Sequence, residues 1–126
     1  MADDFHGEAE WYEFESRIKK AFPEYEIREI DDSDPIFHAV YDLNERYQVP
    51  GQAHLRPGYK SVNGQSALGA HWKAICDDKG RVMVAITYNS DIGDAWEYAD
   101  DHWYPERFSD LAIRVGVNYI VYAMTH

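Results

Sequence analysis

RVMVAITYNSDIGDAWEY, residues 81–98, is the stretch on which the reading of this chain turns. Its first half is an almost unbroken apolar and β-branched run, the composition of a strand covered on both faces. Its second half crowds Asn89, Asp91, Gly93, Asp94, Trp96 and Glu97 into nine positions. Ligands of open α/β sheets bind at the carboxyl ends of strands, so the acidic half falls where a site is expected. A plainer reading stands beside it: Asp91 and Asp94 cap the next helical turn, Gly93 supplies an unusual backbone angle, and Trp96 packs inward.

Working outward, HWKAICDD (71–78) precedes the strand, and Asp78-Lys79-Gly80 between them signals a hairpin. Downstream, YPERFSDLAIRVGVNYIVYAM (104–124) carries Phe108, Leu111, Ala112, Val115, Tyr119 and Tyr122 at helical spacing, with Pro105 near the start. Apolar residues also crowd the flank of that stripe, so the helix must be largely buried. Gly116 and the β-branched VGVNYIV segment leave a strand as the other possibility there. Upstream, EAEWYEFESRIKKAF (8–22) repeats Trp11, Phe14, Ile18 and Ala21 or Phe22 on one helical face, and Pro23 ends it. YEIREI (25–30) reads as a short strand, and DDSDPIF as a capped helical turn led by Pro35. From Leu43 to Gly69 the chain has little periodicity and many Gly, Pro and Asn residues, which predicts a long loop.

The composition bounds what these elements can do. With 126 residues, 45% of them apolar, the chain has material for one core and one domain, residues 1–126. Twenty-three acidic residues against twelve basic ones give a net charge of −11, which repels phosphate backbones and anionic membrane surfaces. Nucleic acid is therefore not an expected partner, and the scattered Lys and Arg supply no basic groove for aromatic stacking. No run approaches a membrane span, and MADDFHGEAE is acidic where a signal peptide is basic and then apolar. No membrane insertion and a cytoplasmic location are expected for the chain as written. The single cysteine, Cys76, excludes an internal disulfide and reads as a small core residue rather than a reactive thiol.

Candidate chemistry gathers on few residues. Asn89, Asp91, Asp94 and Glu97 could ligate a hard cation, with Asp3, Asp4 or His126 approaching from elsewhere. Gly93 and Asp94 stand in the wrong order for a calcium loop, so no metal and no cofactor is expected. A small-molecule or sugar site using Asn89, Asp91 and Trp96 fits the strand-end position. His38 and His71 read as hydrogen-bonded structural residues, and His6 and His126 as exposed residues near the ends. No serine sits in a G-x-S-x-G elbow.

DDFHG, DPIFHAVYDL, CDDKGRVMV, NSDIGDAWEY and the ending NYIVYAMTH together resemble the bacterial family known as domain of unknown function 4159. That family is in turn similar to the class I glutamine amidotransferase and trehalose-utilisation-like fold. The resemblance implies an α/β class with a partial flavodoxin-like layered sheet and flanking helices. It covers only what looks like the C-terminal part of the family domain, which implies an open sheet edge and hence a homodimer, or else a fragment of a larger chain. The amidotransferases' nucleophilic cysteine has no counterpart at a matching turn. Two functions follow as expectations: a non-catalytic ligand-binding or protein-assembly module, and, as the alternative, a degenerate or metal-assisted hydrolase acting on a sugar-like or amide substrate. The mark of the hydrolase would be Asp3, Asp4, Asp91, Asp94 and His126 in one pocket; the candidate ligand-binding set is Asp4, Asn89, Asp91, Asp94, Trp96, Glu97 and His126.

Overall fold

The computed structural model describes residues 1–56 and 67–126. Helix α1 (Gly7–Ala21) is followed by the strands β1 (Ile27–Glu29), β2 (His71–Cys76) and β3 (Val82–Tyr88), then by the short helix α2 (Ile92–Glu97) and the long helix α3 (Glu106–Thr125). The class is mixed α and β, as the sequence predicts, and the strand alternative for VGVNYIV is excluded because the whole segment lies within α3. Part of the predicted loop, residues 57–66, lies outside the described residues; of the rest, Gln52–Leu55 forms a 3-10 turn.

The sheet has the order β1-β2-β3 and is antiparallel throughout. The hairpin forms at the predicted turn: Asp77 accepts the backbone N–H groups of Lys79 and Arg81, and Gly80 supplies φ +81°. A register shift between Ile75 and Cys76 marks the approach to that turn. Cys76 is therefore only half-buried: it packs against the edge of the core, with the Arg28 guanidinium donating to its sulfur at 3.1 Å.

One pairing lies beyond what the sequence pattern signals. Residues 2–5 run parallel to β3 along its outer edge: Ala2 N–H donates to Ala85 C=O, Thr87 N–H to Ala2 C=O, Asp4 N–H to Ser90 C=O and Asn89 N–H to Phe5 C=O. The edge of β3 is thus covered by the N-terminal segment rather than left open. The outward N–H and C=O of Asp3 find no backbone partner among the described residues.

The pleat sends alternate side chains of the hairpin into two cores. Ile75, Ile86 and Tyr88 meet Phe5 and the α1 stripe of Trp11, Phe14 and Ile18, where Phe5 stacks on Phe14 at 4.3 Å. Trp72, Ala74 and Ala85 face α2 and α3 and pack with Ile92, Ala95, Phe108, Leu111, Ala112, Val115 and Tyr122. Helices therefore cover both faces of the sheet. Within the second core Asn118 of α3 is fully buried; its amide accepts from Val40 and Tyr41 N–H and donates to Ile36 and Tyr41 C=O. This ties the turn Pro35–Phe37, capped by Asp34, to the helix.

Candidate functional site

The N-terminal segment and β3 run in the same direction, so their carboxyl ends finish side by side. Two residues there adopt the left-handed backbone conformation, Asp4 at φ 62° and Asn89 at φ 65°. Such angles are uncommon outside glycine, and Asn and Asp are the residues that tolerate them best. Gly93, expected to carry the unusual angle, is an ordinary helical residue; Asn89 takes that role instead, because the chain must turn sharply at the end of β3 itself.

From this corner α2 starts. Asp91 is its N-cap and accepts Asp94 N–H at 2.8 Å, while Asp3, reaching from the N-terminal segment, accepts Gly93 N–H at 2.9 Å. Two carboxylates thus satisfy amide groups that a helix start otherwise leaves without partners. The capping role read from the sequence holds for Asp91. Asp94 does something else: its Oδ2 accepts Gln52 N–H at 2.8 Å, fastening the loop that carries Gly51 and His54. The same loop is stitched down by Asp91 N–H to Val49 C=O, Val49 N–H to Ser90 Oγ, and Tyr104 OH to Pro50 C=O.

The result is a crowd of acids around one backbone. A Cβ built on Gly51 would stand 2.9 Å from Asp91 Oδ2, 3.2 Å from Asp94 Oδ2 and 3.3 Å from His54 Nδ1. Only glycine lets these three polar atoms close in. Gly51 fills the point on which they converge; among the described residues no group of three or more His, Cys, Asp or Glu is arranged to hold a metal ion. Asp91 is buried, and its carboxyl is pushed up to about 7, first by loss of water and then by the negative charges of Asp4, Asp94 and Asp3. Burial and the neighbouring His6 lower His54, and burial with Asp91 and Asp94 raises the Tyr104 hydroxyl. The innermost member of the cluster thus titrates close to neutral pH, where its acid and carboxylate forms coexist. Towards solvent it presents Asp4, which is exposed, with Asp3, Asp94 and His54 half-exposed.

The other candidates lie apart from this cluster. Asn89 is fully buried and fully engaged: its Oδ1 accepts Gly7 N–H at the start of α1, and its Nδ2 donates to Gly69 C=O. It is a clamp. Glu97 is exposed at the far end of α2. Trp96 does not pack inward as expected; it is 42% exposed, held by an indole N–H to Ala112 C=O on α3. His126 stacks on Tyr122 at the end of α3, and its carbonyl accepts from Arg81 at the opposite end of β3. A strand of seven residues separates it from Asp91, roughly 20 Å at strand rise. Asp3, Asp4, Asp91 and Asp94 thus meet, and His126 does not join them.

Sequence reasoning missed His6, His54 and Gly51. His6, read as an exposed residue near the end, is buried beside Asp4, 3.5 Å away, and packs against His54 with ring centroids 4.7 Å apart. His54 and Gly51 lie in an aperiodic loop, where the Pro50-Gly51 pair was the sole signal. Tyr104 was visible only as the start of a helix.

Neither the curated proteins nor the solved structures include a significant match to this chain. No helix among the described residues is long and apolar enough to cross a membrane. The sequence model of one family, described as Domain of unknown function (DUF4159), matches residues 1–124, and with nearly every residue so matched the chain belongs to that family.

Proposed function

We propose that this is a binding module whose site is the acidic corner where the N-terminal segment and β3 end together, and that its ligand is a small, neutral, polyhydroxylated molecule of the sugar class. The observation that carries this reading is the meeting of four carboxylates, Asp3, Asp4, Asp91 and Asp94, beside the His54 ring at one strand-end corner. The half-exposed His54 ring beside the exposed Asp4 and half-exposed Asp3 and Asp94 carboxylates offers a ring N–H beside several acceptors, the pattern that adjacent hydroxyl groups match. The cluster repels anions. The position at two parallel strand ends agrees with where ligands sit in open α/β sheets. The parallel course of residues 2–5 and the helices on both sheet faces support a layered arrangement of the flavodoxin or glutamine amidotransferase-like kind.

The test is an NMR titration with neutral monosaccharides at millimolar concentration. Resonances of Asp3, Asp4, His54, Gly93 and Asp94 should move together, and Asp94→Asn should weaken the response. No movement with any sugar up to tens of millimolar would count against the site. A hydrolase is the second reading, and one arrangement favours it: the buried Asp91 carboxyl, raised to about 7, beside the Asp94 carboxylate suits general acid catalysis. Turnover of aryl glycosides or amides that disappears in Asp91→Asn would move the assignment to that reading.

A further inference from the structure

On the side of the sheet facing α3 lies a groove of about 560 Å³, mostly apolar and lined by none of the acidic corner's side chains. Its floor is Met83 and Ala85 of β3 with Met1 beyond the sheet edge; its wall is Ile113, Val117 and Ile120 of α3, with Trp96 alongside. Large side chains here are left in water: Met1, Met83, Trp96, Ile113 and Ile120 are each at least 39% exposed, and Met124, one turn beyond Ile120, is 79% exposed. With large side chains of roughly 150–250 Å² each, these fractions leave on the order of 600 Å² of apolar surface in one place, at the upper limit for an ordinary monomer. One partner of a standard interface contributes about 800 Å².

We infer that this face binds a second copy of the chain. Two observations favour that occupant. The first is charge: a two-fold contact sets like against like, and in a chain of net charge −11 a face lined by uncharged side chains is where two copies approach without facing carboxylates. The second is shape, since the face carries both a ridge, Ile120 and Met124, and a groove beside it. An isologous contact uses both at once, the ridge of each copy lying in the groove of the other. The area is close to what a stable pair needs.

Sedimentation velocity of the full chain between about 1 and 200 μM tests this. The expected result is a monomer–dimer equilibrium that Ile120→Glu and Met83→Glu each weaken about 100-fold or more, as for a charge placed at the centre of an interface. Tyr12→Glu, on the outer face of α1 where Tyr12 is 75% exposed, leaves the equilibrium unchanged. If either groove variant fails to fold by circular dichroism, hydrogen exchange of the wild type decides instead: on concentrating the protein, protection must rise in residues 1–3, 82–85 and the second half of α3. A chain that stays monomeric at 200 μM, a dimer indifferent to both groove variants, or a monomer found by native mass spectrometry carrying an amphiphile would each overturn the assignment.

Discussion

Asp91→Asn isolates the protonated carboxyl from its structural role. The amide oxygen still accepts Asp94 N–H, so the cap of α2 survives, while the titrating proton disappears. In the folded chain the Asp91 carboxyl stands at about 7, against an ordinary 3.8. Between those values the folded state holds a proton that the unfolded state has released, so stability must fall as pH rises from about 4 to 7 and level off above that. Three pH units at about 1.36 kcal/mol each amount to about 4 kcal/mol. Because the cluster opens to solvent on its Asp4 side, screening reduces this to about 2 kcal/mol. The variant should match the wild type below about pH 4 and exceed it at pH 8 by that amount, or roughly 6–10 °C in melting temperature for a domain of this size. Urea unfolding at the two pH values measures it. Parallel pH profiles for the two proteins, or a loss of stability in the variant at both pH values, would refute the reasoning.

Gly51→Ala forces a methyl group against Asp91, Asp94 and His54 and should cost about 1–3 kcal/mol by thermal unfolding, more than an alanine gains over glycine in the unfolded chain. Asn118→Leu leaves the backbone groups of Ile36, Val40 and Tyr41 without partners in the core, and a loss of about 3 kcal/mol or more is expected in urea. Gly116→Ala goes the other way. Its methyl meets only the edge of the half-exposed Trp96 ring at 3.1 Å, so the ring yields, helix propensity gains up to about 1 kcal/mol, and the tryptophan emission shifts. His38 titrates above its usual value because Asp42 and the Asp32 carbonyl accept from it; Asp42→Asn should lower its midpoint in a histidine NMR titration.

The elements that local signals define were legible before any coordinates: the Asp78-Lys79-Gly80 hairpin, α1 ending before Pro23, the Asp34-capped turn, and α3. What escaped was long-range. Nothing in MADDF announces a strand, because residues 2–5 owe their extended course to β3 and not to their own pattern. The acidic corner was half legible, since Asp3, Asp4, Asp91 and Asp94 stood among the candidates. His6, Gly51 and His54 were not, because a loop's position is set by the hydrogen bonds of Val49, Gln52 and Tyr104 to distant groups. Gly93 drew the unusual backbone angle on residue type alone, whereas the geometry of the strand end assigned it to Asn89. His126 looked close to the acids only because the family-like ending made it prominent.

The parallel pairing of residues 2–5 with β3 also sets an order of events in folding. Gly7 meets Asn89 across 82 positions of sequence, and Asp3 meets Gly93 across 90. Contacts of that separation carry a large loop-closure cost and form late, after the hairpin and α3 have gained their local contacts. On the ribosome the N-terminal segment and the apolar stripe of α1 must wait for most of the chain before β3 exists to receive them. Phe5, Trp11 and Phe14 are then the surfaces open to chaperones and proteases, and the acidic corner, built across that last joint, comes into being only when the whole chain has closed.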